Sequence, residues 1–91
     1  MMYVVTYTLN PPRVPPPALI AALQSAGEWW HYLDYTWLLV TSESATEVWN
    51  RIAPTITPED RVLIAQITYL AGLQGWLQKD AWDWITARRY H

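Results

Sequence analysis

His31 is the side chain best suited to proton transfer or metal ligation, because an imidazole titrates near neutral pH and offers two distinct ring nitrogens. It stands in the run Trp29-Trp30-His31-Tyr32, flanked by large rings, and the other histidine is His91 at the far end of the sequence. One imidazole without an acid partner makes neither a triad nor a ligand set, so His31 reads as a strand histidine hydrogen-bonded at an interface. The acids are equally dispersed. Asp80 and Asp83, with Lys79, have the spacing of solvated charges on a helix face rather than of a metal pair. Asp34 reads as a turn residue. Glu59-Asp60-Arg61 reads as a turn with a local ion pair of little energetic weight. Arg88-Arg89-Tyr90-His91 has the composition to touch phosphate, but reads as a frayed or subunit-contacting end. There is no glycine-rich phosphate loop, no Ser-His-Asp order and no metal-ligand spacing. With no cysteine, disulfides and thiolate metal sites are excluded. The expectation is a protein with no catalytic, cofactor-binding or metal-binding residue.

The aromatic residues are the second candidate chemistry. Seven Trp and six Tyr occur in 91 residues, with no Phe. Tyr3, Tyr7, Trp29, Trp30, Tyr32, Tyr35 and Trp37 have the ring types of a base-stacking platform, as in RNA-binding sheets. The stretch Thr36 to Thr41 carries neither the basic residue nor the glycine of that motif, so core and dimer packing is the expected role. So many rings exceed what a small monomer hides, which points to a contact surface. The net charge is −2 and the six basic residues are scattered, which gives nucleic-acid binding weak support. No apolar run reaches the about 20 residues of a membrane span. The N-terminus lacks the features of a secretory signal, and a soluble cytoplasmic protein is expected.

These side chains must be held by a small set of elements. The length suits one domain over residues 1–91. Tyr3 to Leu9 alternates as a strand, with Tyr3, Val5, Tyr7 and Leu9 on one face. Val4, Thr6 and Thr8 lie on the other, which is the candidate open face of the sheet. Asn10 to Pro17 holds five prolines and delays a helix until Pro16. That helix runs to about Ala26, with Gly27 as its C′ terminator. Glu28 to Leu33 and Thr36 to Thr41 form a hairpin turning at Leu33-Asp34-Tyr35. Ser44 and Glu47 read as a capping box. Ala45, Val48, Trp49 and Ile52 then follow at helical spacing until Pro54 ends the helix. Arg61 to Tyr69 is rich in β-branched residues and reads as a fourth strand. Gly72 and Gly75 bracket a loop, and Trp76 to about Arg88 reads as a last helix with Leu77, Ala81, Trp84 and Ile85 inward. The order is β-α-β-β-α-β plus a helix. That is the α+β ferredoxin-like arrangement, an antiparallel four-stranded sheet with two helices on one face.

Several stretches carry a family likeness. Tyr3 to Asn10 (Tyr-Val-Val-Thr-Tyr-Thr-Leu-Asn), Leu19-Ile20, Gly27 to His31, Thr36 to Leu38 and Trp84-Ile85 together resemble the small bacterial SinR-like proteins. The specific part is Trp29-Trp30-His31-x-Leu33-x-x-Thr36-Trp37. The resemblance implies a ferredoxin-like fold and a distant similarity to the homodimeric CRISPR-associated adaptation subunits. It also implies an Asp at the end of the first strand, the proposed metal ligand of the nuclease-active members. Here that position is Thr8, and a neutral hydroxyl is a poor ligand for Mg²⁺. A metal-dependent nuclease is therefore the least favoured reading.

The leading expectation is a non-catalytic interaction protein that works as a homodimer or as a subunit of a larger assembly. Edge strands that need covering and surplus aromatic surface motivate it. The interface candidates are Trp29, His31, Trp37 and the strand from Arg61 to Tyr69. A nucleic-acid-binding or defence-associated role is the alternative.

Overall fold

The computed structural model describes residues 1–68 and 73–88, and of Tyr32 the backbone alone. The chain is α+β. Its elements are β1 (Met2–Thr8), α1 (Pro17–Ser25), β2 (Glu28–Leu33), β3 (Thr36–Val40), α2 (Ala45–Ile52), β4 (Arg61–Ile67) and α3 (Lys79–Ala87). A 3-10 turn at Ala53–Thr55 follows α2 and contains Pro54, which cannot supply the N–H that would continue the α-helix. The strands form one antiparallel sheet in the order β2-β3-β1-β4. Tyr69, Gly72 and the terminal Arg89, Tyr90 and His91 lie outside the described residues.

The two-residue period of β1 divides the core. Tyr3, Val5 and Tyr7 join Trp37 and Leu39 of β3 under Leu19 and Leu23 of α1 and Val48 and Ile52 of α2. Their alternates face the other way. There Val4, Trp30 and Leu38 pack with Ala81 and Ile85 of α3. The face expected to be open is thus covered over part of its area. Its uncovered end carries Thr6 and Thr36, whose hydroxyls lie 3.2 Å apart.

Local chemistry accounts for the ends of the elements. Pro17 opens α1, where a missing N–H costs nothing. The Ser44 side chain accepts from the Glu47 amide, and the Glu47 carboxylate accepts from the Ser44 amide, so the capping box of α2 is formed. α3 starts at Lys79 rather than at Trp76. Gln78 is its extended N-cap, Asp80 occupies its first turn, and the Trp76 ring is fully exposed. Lys79 pairs with Asp83 at 2.8 Å on the solvated face, which holds the ammonium pKa above its usual value.

Gly27 has a different role from the one expected. It is not in the left-handed region, and the α1 C-cap is Ala26 in the right-handed conformation. A Cβ at Gly27 would collide with the Val40 carbonyl oxygen and stand 3.1 Å from Thr41 Cβ. The glycine is needed because the chain leaving α1 passes against the end of β3.

Candidate interaction surface

The two sheet edges differ in quality. β2 pairs regularly with β3 only through Trp30, and its register shifts between Trp30 and Leu33. The extra residue re-aims His31 and breaks the edge ladder, a common way of protecting an edge. β4 is regular over seven residues, with Met2↔Ile67 to Thr8↔Arg61 in unbroken register with β1. It has no proline and no bulge, and Arg61 is its single charge.

The direction of its backbone groups follows from the pairing. Met1 and Thr41 exchange both backbone bonds, and the Tyr7 amide donates to the Tyr35 carbonyl. The odd residues of β1 therefore bond to β3 and the even residues to β4. Across the β1–β4 register this turns Arg61, Leu63, Ala65 and Ile67 toward β1. The N–H and C=O groups of Val62, Ile64 and Gln66 face outward, and among the described residues no strand pairs with them.

Apolar side chains flank this free edge. Trp49 of α2 is 42% exposed and Leu63 is 60% exposed. Ala45, Thr46, Trp49, Val62, Leu63 and Ile64 line an open groove of about 360 Å³ between α2 and β4. Both exposures have a local cause. Val48 and Ile52 occupy the buried stripe of α2, so the next residue, Trp49, stands beside it. Leu63 is out of phase with Val62 and Ile64, which pack against the main core.

At the opposite edge the aromatic candidates separate. Trp37 is 1% exposed and fully inside the core, so its ring offers no surface to a partner. β3 is an interior strand, and the ring faces the helices. His31 stacks on it at 4.0 Å with the planes 14° apart, and Trp29 leans on it at 5.4 Å. Trp37 Nε1 donates to the Tyr7 hydroxyl at 3.3 Å, and burial raises the Tyr7 pKa. His31 Nε2 lies 3.1 Å from the Asp34 carbonyl across the hairpin turn. His31 is thus held within its own hairpin by a ring and a carbonyl. Trp29 keeps an exposed flank, at 43%. A base-stacking role for the sheet would need its rings on an open face, yet Tyr3, Tyr7 and Trp37 lie beneath α1 and α2.

Asp60 is the polar residue that sequence reasoning undervalued. It is not the exposed half of a Glu59-Asp60-Arg61 pair. The residue is 7% exposed, and its carboxylate accepts two bonds from Arg13, at 3.0 and 2.9 Å. It also accepts from the amides of Asn10 and Thr57, at 2.8 and 3.0 Å. The Arg13 guanidinium, with the Thr57 and Asn10 amides behind it, holds the carboxyl well below the ordinary carboxylate range. The same pairing raises the Arg13 pKa. Asp60 therefore fastens the proline-rich loop to the turn before β4. Arg61 instead donates to the carbonyls of Pro58, Glu59 and Asp60, leaving its side chain at the exposed start of the edge strand. A hidden partner 47 residues away leaves no trace at short spacing.

Thr8 is exposed at the end of β1. Among the described residues no group of three His, Asp or Glu side chains stands close enough to hold a metal ion, and no helix is long and apolar enough to cross a membrane. Trp29, His31 and Trp37 are brought together at the β2–β3 hairpin. Arg61 stands apart from them at the β4 edge, and Tyr69 falls outside the described residues. No family model, no curated protein and no solved structure matches the chain.

Proposed function

We propose that this protein is a non-catalytic interaction module of ferredoxin-like fold, working as a homodimer or as a subunit of a larger assembly. One observation carries the reading. A seven-residue edge strand, with no strand on its outer side among the described residues, lies beside a half-exposed tryptophan and an exposed leucine. A long, regular edge of this kind is a ready template for pairing with another chain, and natural proteins that remain monomeric blunt such edges. The element order β-α-β-β-α-β and the sheet order β2-β3-β1-β4 support the ferredoxin-like assignment. The Trp29 to Trp37 motif supports kinship with the SinR-like proteins, and cytoplasmic residence is part of the same reading. Sedimentation equilibrium at micromolar concentration tests it. The expected result is a dimer or higher species. A single monomeric species with Trp49 fully open to an aqueous quencher would refute it.

A further inference from the structure

We infer that the occupant of the β4 edge is the β4 strand of a second copy, paired antiparallel about a twofold axis through Ile64. The inference rests on the self-association reading above and adds the surface, the register and the contacts.

The pairing follows from symmetry. An antiparallel partner can bond only through residues whose amides and carbonyls face outward, which on β4 are Val62, Ile64 and Gln66. These are spaced evenly about Ile64. A twofold axis there sets Ile64 against its own copy and Val62 against Gln66 of the second copy. Each pair exchanges N–H···O bonds in both directions, and every free backbone group of the described edge finds a partner. The four-stranded sheet becomes continuous across two copies.

The side chains agree with this register. Between the bonded pairs, Leu63 falls opposite Ala65 of the second copy. These are non-hydrogen-bonded positions, where the chains approach most closely and side chains crowd. A large residue against a small one fits there, and the pair recurs on the other side of the axis. Leu63, exposed in one copy, becomes covered. On the helix side, Trp49 and the groove it lines stand over the positions that Ile64 and Gln66 of the second copy would enter. Charge agrees as well. Arg61 is three positions from the axis, so the two guanidinium groups lie roughly 20 Å apart at the strand rise, beyond the about 10 Å screening length of 0.1 M salt. The β2 edge offers no such match, because its register breaks after Trp30.

The chain has no cysteine, so one introduced thiol reports one location. In the inferred dimer the Ile64 α-carbons stand about 5.5 Å apart, as in any hydrogen-bonded antiparallel pair, within the reach of a disulfide. Ile64→Cys should give a disulfide-linked dimer under mild oxidation, whereas Leu33→Cys on the β2 edge should not. Gln66→Pro removes one outward N–H per copy and leaves the β1 ladder intact. It should weaken association roughly 10- to 30-fold. Leu63→Lys, at an exposed position of the monomer, should release monomers that keep the wild-type near-ultraviolet circular dichroism. If the wild type associates while Ile64→Cys stays unlinked, or while Gln66→Pro and Leu63→Lys associate as the wild type does, this interface is wrong and self-association stands. If the wild type is monomeric, this inference fails together with the homodimer reading of the proposed function.

Discussion

Replacing Trp37 by alanine separates a core tryptophan from an interface tryptophan. The ring is 1% exposed, and it is flanked by His31 and Trp29 and bonded to the Tyr7 hydroxyl. Truncating a buried Trp to Ala costs about 3–5 kcal/mol through lost transfer energy and the cavity left behind. The Tyr7 hydroxyl then loses its donor, and His31 loses the ring on which it stacks. Domains of this size have about 5–15 kcal/mol of total stability, so the variant should fold but lie close to its limit. With a urea m-value of about 2 kcal/mol/M, the midpoint should fall by about 2 M. Trp29→Ala, with 43% of the residue already exposed, should cost only about 1 kcal/mol. Both variants are compared with the wild type at one protein concentration, since a dimer adds a concentration term to apparent stability. A Trp37→Ala midpoint within a few tenths of molar of the wild type, with association lost, would show that the ring serves an interface and that this packing is wrong.

Asp60→Asn should remove part of the acid sensitivity of folding. The Asp60 carboxyl sits below its unfolded value, near 3.9, so its contribution is complete above that pH and is lost as pH falls toward the folded pKa. Urea midpoints measured from pH 7 downward should decline less steeply for the variant, and an identical slope would contradict the Arg13–Asp60 fastening. Gly27→Ala should destabilise by about 1–3 kcal/mol through overpacking against β3; thermal melting checks this, and a neutral or stabilising effect would refute the close approach. Ser44→Ala should cost about 0.5–2 kcal/mol by opening the capping box of α2. Its loss should appear in the denaturation midpoint without a change in m-value.

Much of the local structure was written in nearest-neighbour chemistry. The alternation of β1, the proline that opens α1, the hairpin arms and the Ser44–Glu47 box each depend on residues within a few positions, where spacing alone sets the geometry. The same pattern marked Val48 and Ile52, and Ala81 and Ile85, as inward pairs. It said less about Trp49, because a helix stripe has a border and only the packed neighbour decides on which side a residue falls. Tertiary structure also placed Trp37 on an interior strand, gave Asp60 its partner in Arg13, and changed the role of Gly27 from turning the chain to admitting the β3 carbonyl. The candidate surface was legible only as a strand. Whether a strand is central or at an edge, and which of its amides face outward, is a property of the sheet rather than of the strand's own residues. Composition thus determined that many rings need cover; strand order and register determined which ones lie in the core, and left β4 at the edge of the described sheet.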